Sequence, residues 1–215
     1  MHLSLPPERL RAYVTAQIEH QFPDGGPLDF GPSFDRALER LDFCFAHIMN
    51  KYFFDGSQSV FSHLHADQYA MWLYMLSNQL HRDGGNPDLC AKLFLLNKAL
   101  HGCDLFHEIA LPDIFLLVHP LGTVLGRGDY SNFFVAYQRC GVGSNHDTFP
   151  SFGEHVTLRP GSSVLGAARI GAHCQLGAEA LLIDRDLEER TLYLGTPKAP
   201  ILRPNREDYP LWRAR

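Results

Sequence analysis

The sequence has five cysteines in 215 residues, Cys44, Cys90, Cys103, Cys140 and Cys174, and no two of them form a CxxC pair. An odd, scattered set argues against a disulfide framework and against a cysteine-built zinc site. Cationic excess is missing too: nineteen Lys and Arg stand against twenty-four Asp and Glu, a formal net charge of −5. Without a basic footprint, no nucleic-acid partner is expected. No apolar run reaches the length of a membrane span, and the opening MHLSLPPERLRAYV lacks the charged and apolar regions of a secretory signal. No membrane partner is therefore expected, and the expected location is cytoplasmic. β-Branched runs are nearly absent from the first half.

That first half carries helical patterns instead, over roughly 7–21, 33–52, 66–82 and 87–102. The clusters FPDGGPLDFGP, FDGSQS and DGGNP separate them. In the second, Leu38, Leu41, Phe45, Ile48 and Met49 fall near helical spacing and predict a buried stripe.

The second half changes period. From Phe152 an apolar residue returns every sixth position, at Leu158, Val164, Ile170, Leu176 and Leu182. Neither a helix, at 3.6, nor a half-buried strand, at 2, has this interval, so the unit is a short strand plus a turn. The fifth place of each hexad holds Val156, Ser162, Ala168, Cys174, Ala180 or Asp186, mostly small, as an inward corner requires. These features predict a parallel β-helix of hexapeptides, three to a triangular coil. Val118 and Val124 keep the interval earlier, and the count then fails until Phe152, which places an insertion in the loop GVGSNHDTFPS (141–151). ERTLYLGTPKAPILRP adds a strand pair with a Gly-Thr-Pro corner, and NREDYPLWRAR forms a short polar tail that covers the β-helix end. The fold class expected is α+β: an α-helical domain over 1–112, a β-helix over 113–203 and a tail over 204–215.

Helices followed by VHPLGTVLGRG (118–128) and then by hexads resemble serine acetyltransferase and its hexapeptide-repeat relatives. SNHDTFPSFGE (144–154) sits where that family carries a functional His before a Pro. YLGTPKAPIL (193–202) is similar to its closing Gly-x-Pro-Ala motif beside coenzyme A. The resemblance, over roughly residues 70–200, implies a left-handed β-helix, a homotrimer or dimer of trimers, acetyl-CoA as acyl donor with no metal, and a small-molecule acceptor, L-serine first. One departure stands out: the family's Asp-His pair after the His-Pro entry is replaced here by Asp129-Tyr130. That departure brings in two rivals, acetylation of a nucleotide-linked amino sugar for surface polysaccharide, and a non-catalytic trimeric scaffold. A γ-carbonic-anhydrase-type metalloenzyme is a further class and needs three His from neighbouring faces.

Acetyl transfer from a thioester needs a base for the acceptor proton, a donor for the oxyanion and a slot for the pantetheine arm. His146, in a polar loop between Asn145 and Asp147, is the candidate base; His119, before Pro120, is either a second candidate or a structural hydrogen-bonder. Asp104, Glu108 and Asp113 precede the β-helix; Asp113 is the carboxylate chosen to orient a base or meet an acceptor amine. For the donor, Gly166, Ala167, Gly177 and Ala178 let a pantetheine arm approach backbone, and Gly195, Thr196 and Lys198 form a closing corner where a Lys meets a phosphate. His155 and His173 read as surface or interchain residues. HEIAL (107–111) lacks the second His of a zincin helix, and His63 and His65 lack a third ligand.

Overall fold

The structure is a computed structural model that describes residues 1–206 and 211–213, and the chain divides into two compact units. One comprises Met1–His101, Leu105–Glu108 and the described residues from Leu211 on; the other comprises Gly102–Asp104 and residues 109–206.

In the first unit a two-residue strand β1 (His2–Leu3) precedes helix α1 (Pro7–Gln21) and α2 (Ser33–Phe45). Strand β2 (Val60–Phe61), parallel to β1, leads to α3 (Ala66–Arg82) and α4 (Pro87–His101). Helix α1 starts on proline, whose missing N–H would have no intrahelical partner there, and buries Leu10, Val14 and Ile18 along one face. Helix α3 is the centre of the unit: every residue from Asp67 to Leu80 is buried. Several of the buried polar groups here find partners, although the Trp72 indole nitrogen has none among the described residues. The Ser77 hydroxyl donates to the Cys90 carbonyl at 2.8 Å, the Gln68 amide donates to the Tyr52 carbonyl at 2.6 Å, and Asn97 of α4 donates to the Ala70 carbonyl at 3.0 Å. Left unpaired, each would cost about 1–3 kcal/mol.

Helix α2 stops at Phe45 rather than reaching Tyr52. Ile48 forms an antiparallel bridge with Trp212, and the Met49 amide donates to the Leu211 carbonyl at 2.8 Å, so the chain leaves helical geometry for that pairing. Ile48 stays buried, whereas Met49 is exposed. Residues 211–213 thus bond into the helical unit, where the Arg213 guanidinium lies 3.4 Å from the Phe54 ring centroid; 207–210 and 214–215 of the expected tail lie outside the described residues.

The second unit is built from very short strands: β3 (Phe115–Leu117), β4 (Val124–Leu125), β5 (Asp129–Tyr130), β6 (Phe134–Ala136), β7 (Gly141–Gly143), β8 (Ser151–Phe152), β9 (Thr157–Leu158), β10 (Ser163–Leu165), β11 (Arg169–Ile170), β12 (Gln175–Leu176) and β13 (Leu181–Ile183). A longer pair follows, β14 (Thr191–Thr196) and β15 (Ala199–Pro204). From β3 to β13 the chain visits three parallel sheets in strict rotation. β4, β7, β10 and β13 form one face, β5, β8 and β11 a second, and β3, β6, β9, β12 and β14 a third, to which β15 adds antiparallel. This is a β-helix of about four turns.

Its core is three ladders. Leu125, Val142, Val164 and Leu182 stack on the first face; Tyr130, Phe152, Ile170 and Leu187 on the second; Ala136, Leu158, Leu176 and Tyr193 on the third. The six expected anchors from Phe152 to Leu182 are all buried, as are the small inward residues Val156, Ser162, Ala168, Cys174 and Ala180. Asp186 departs from that column. It lies at the surface paired with Arg169, because the last coil is one residue short and Leu187 takes the interior place.

The early coils correct the reading of Val118 and Val124. Val124 is 47% exposed, and the interior residues are Leu117 and Leu125. The sixfold count is in fact present at Tyr130, Ala136 and Val142, and from Tyr130 to Leu182 it breaks once, between Val142 and Phe152. The break is a two-residue hairpin: Asn145 and Thr148 exchange backbone hydrogen bonds, and His146 and Asp147 both have positive φ, 48° and 58°, as a type I′ turn demands.

Candidate functional site

The β-helix has three corners, and the candidate residues divide among them. The first corner, between the β4–β13 face and the β5–β11 face, carries the inserted hairpin. His146 projects from it, exposed, and forms no side-chain hydrogen bond among the described residues. Directly above lie Gly166 and Ala167, held by Asp184 one coil further on. Asp184 accepts the Ala167 amide at 2.8 Å with one carboxylate oxygen and the Asn145 side-chain amide with the other. Gly166 has φ 78°; a Cβ there would lie 1.9 Å from the Asp184 carboxylate and 2.8 Å from Asn145 Cβ, so only glycine fits. Arg127, a coil below, places its guanidinium 5.9 Å from the Phe149 ring centroid at the hairpin's exit. The corner therefore joins an imidazole, a guanidinium, an exposed aromatic ring and a carboxylate clamp.

The second corner follows the β3–β14 face. His119 sits at its first coil, exposed, with φ 49°. Gly177 and Ala178 lie three coils on, next to Gly195 and Thr196 of the closing hairpin: the Gly177 amide donates to the Tyr193 carbonyl at 2.9 Å. A Cβ on Gly177 would meet Leu194 Cδ2 at 2.1 Å, and one on Gly195, at φ 85°, would meet the Ala199 carbonyl at 2.4 Å. Both glycines are demanded by the hairpin's close approach. Lys198 is exposed at the hairpin tip, and Arg139 pairs with Glu179 across Gly161. The third corner holds Asp113, exposed, beside Ile114, which accepts the Phe133 amide and donates to the Asn132 side chain.

His146, His119 and Asp113 therefore occupy three different corners, and one chain does not assemble them. The structure does bring the hairpin that carries His146 against Gly166 and, through Asp184, to Ala167. The amides of those two residues are already engaged, Gly166 with the Gly143 carbonyl at 3.0 Å and Ala167 with Asp184, so neither is free to hold an oxyanion. The Ala178 amide, by contrast, takes no partner among the described residues.

Sequence reasoning missed Asp184. Its only signal is a position eighteen after Gly166, one coil on, which is visible once the coil length is known. The Asp129-Tyr130 departure also has a structural answer: the Tyr130 hydroxyl donates to the Gly126 carbonyl at 2.7 Å, and its ring stacks 5.2 Å from Phe152. That position serves packing. A groove of about 660 Å³ at the last coil, lined by Arg185, Asp186, Glu188, Arg190 and Arg203, includes none of the predicted residues.

No protein-family model and no curated relative matches the chain. Among solved structures, a serine acetyltransferase from Neisseria gonorrhoeae superposes with a TM-score of 0.66 at 20% identity over 82% of this chain and 74% of its own. A serine acetyltransferase from Brucella abortus strain S19 gives 0.65 at 16% identity over 80% and 73%; its complex with coenzyme A gives 0.63 at 17% over 80% and 72%. The chain thus has the fold of the serine acetyltransferases, with helices followed by a hexapeptide β-helix.

Proposed function

We propose that this chain is an acetyl-CoA-dependent acyltransferase acting on a hydroxyl or amine of a small acceptor. The observation that carries the reading is the first corner, where His146 projects on a hairpin inserted into an otherwise regular coil and clamped through Asn145 to Asp184. A β-helix has no structural need for four extra residues there, and loops held on rigid scaffolds place functional groups. The shared fold supports the same reading, and one of the similar structures is a complex with coenzyme A.

In this reading the acceptor attacks the thioester carbonyl directly as His146 removes its proton. The tetrahedral intermediate collapses with loss of the coenzyme A thiolate, which takes up a proton. On a neighbouring protomer, whose second corner would face the first corner of this one, Gly177, Ala178, Gly195 and Thr196 line the pantetheine path, the Ala178 N–H faces the oxyanion, and Lys198 meets a phosphate. Since no carboxylate in the described chain binds the second nitrogen of His146, the group that orients it comes from a neighbouring protomer. His119 or Asp113 of a homotrimer, or of a dimer of trimers, is the candidate. L-Serine is the first acceptor and a nucleotide-linked amino sugar the second.

Thiol release from acetyl-CoA by the purified protein, with no acceptor, with L-serine and with a panel of nucleotide-linked amino sugars, tests the proposal. Release driven by one acceptor supports it and names the substrate. Failure to bind coenzyme A at millimolar concentration sinks it and favours a scaffold, a reading for which the packing role of Tyr130 already speaks.

A further inference from the structure

Helix α3 ends in a group of side chains that the acyl-transfer reading does not use. His81, in its last turn, faces His107 and Glu108 of the segment Leu105–Glu108 in the same unit. One donor atom from each of the three lies within 4.8 Å of the others. The two imidazole centroids are 5.4 Å apart. His107 is only 6% exposed, and its Nδ1 is buried without a hydrogen-bond partner. Such an orphaned nitrogen is costly to bury and calls for an explanation.

The surroundings hold these groups in place. The Asn78 side chain, three residues before His81, donates to the His107 carbonyl at 2.8 Å, so the end of α3 that carries one histidine also holds the backbone of the other. The Phe106 ring lies 4.1 Å from that of His107 and packs edge-on against Phe94 of α4 at 5.3 Å. Glu108 and His81 are exposed, so an ion has an entry path. Two imidazoles and one carboxylate form a borderline N2O donor set, the set of a three-ligand zinc site with its fourth position open. In the linear sequence HEIAL has no second histidine; the fold supplies it from residue 81.

We propose that His81, His107 and Glu108 bind one divalent ion of the zinc type and clip the 105–108 segment to the end of α3. The ion satisfies the buried nitrogen, neutralises Glu108 and leaves one coordination position to water. The site is independent of acetyl transfer and stands or falls separately from it.

The test uses the full chain without a polyhistidine tag, stripped with a chelator and titrated with Zn²⁺ against a chromophoric competitor. His81→Ala and Glu108→Gln are the informative variants because both side chains are exposed, and circular dichroism checks that each is folded. The expected result is one ion per wild-type chain, at least about tenfold weaker binding in each variant, and a zinc-dependent rise in the thermal midpoint that the variants lose. His63→Ala, away from the cluster, leaves binding intact. Absence of stoichiometric binding to wild type, unchanged binding in both variants, or equal loss in His63→Ala overturns the proposal.

Discussion

The imidazoles of His155 and His173 lie face to face, with centroids 4.6 Å apart and planes 5° from parallel. The two residues are eighteen apart and occupy the same corner of successive coils, each with positive φ, 59° and 57°. Phe133 extends the stack one coil down at 4.3 Å and 6°. The column is a direct product of the repeat: a corner that requires left-handed backbone recurs once per coil and aims each side chain in the same direction.

This geometry disfavours protonation. Burial holds the His155 pKa below its usual value, and the neighbouring His173 adds to that against a weaker pull from Glu154; burial lowers His101 likewise. The unfolded chain takes up protons near pH 6.5 that the folded chain refuses. The stabilising contribution is therefore complete above about pH 6.5 and declines as pH falls from there towards the folded-state values. Thermal midpoints recorded from about pH 7.5 to 5.5 should fall. His155→Phe, which keeps the stack, should flatten part of that fall, and a parallel curve for the variant would exclude His155 as a contributor.

Gly171→Ala should be destabilising. Its Cβ would lie 2.5 Å from the Glu189 amide nitrogen and 2.8 Å from Glu189 Cα, backbone atoms of the next coil that cannot turn aside. Forcing adjacent coils apart costs about 1–3 kcal/mol, readable as a drop of several degrees on heating. Gly143→Ala meets only a Leu165 methyl, at 3.4 Å, and should behave almost as wild type.

His146→Ala should abolish acceptor-dependent thiol release by about 10²–10⁴-fold while coenzyme A still binds. Steady-state rates and calorimetry on the same preparation separate the two. Wild-type turnover in the variant would remove His146 from the mechanism.

In the proposed mechanism Asp184 acts through the hairpin rather than on the substrate. Asp184→Ala should lower kcat by about tenfold with little change in KM for acetyl-CoA, since misplacing a base slows chemistry without removing binding. Asp184→Asn keeps an acceptor for the Ala167 amide and keeps the clamp once the Asn145 side chain turns so that its oxygen accepts from the new NH2, and should recover most of the rate. Equal rates for both variants and wild type would show that the clamp does not position His146.

The ladder from Phe152 to Leu182 is legible in the sequence because nothing interrupts it. The same sixfold interval at Tyr130, Ala136 and Val142 goes unread because four inserted residues shift its phase and because alanine and tyrosine do not look like anchors. The division of His146, His119 and Asp113 among three corners depends on which strand belongs to which face, and that needs the register. Pairs formed across coils, such as Asn145 with Asp184, are separated by nearly forty positions and leave no local trace. Helix α2 stops early for a similar reason: its terminator is a bridge from Ile48 to Trp212, far along the chain.

The β14–β15 pair sets how many coils there are. Each coil of a parallel β-helix is a template for the next, and no residue inside the repeat counts how many have been laid down. On the third face the count ends at Pro197 and Lys198, where the chain turns back and β15 runs opposite to every strand before it. The edge it presents has the wrong polarity for a further coil, and Pro200 and Pro204 leave two of its amide positions without a donor. Two turn residues thus act as a stop signal on that face, and they turn a growable edge into a finite one.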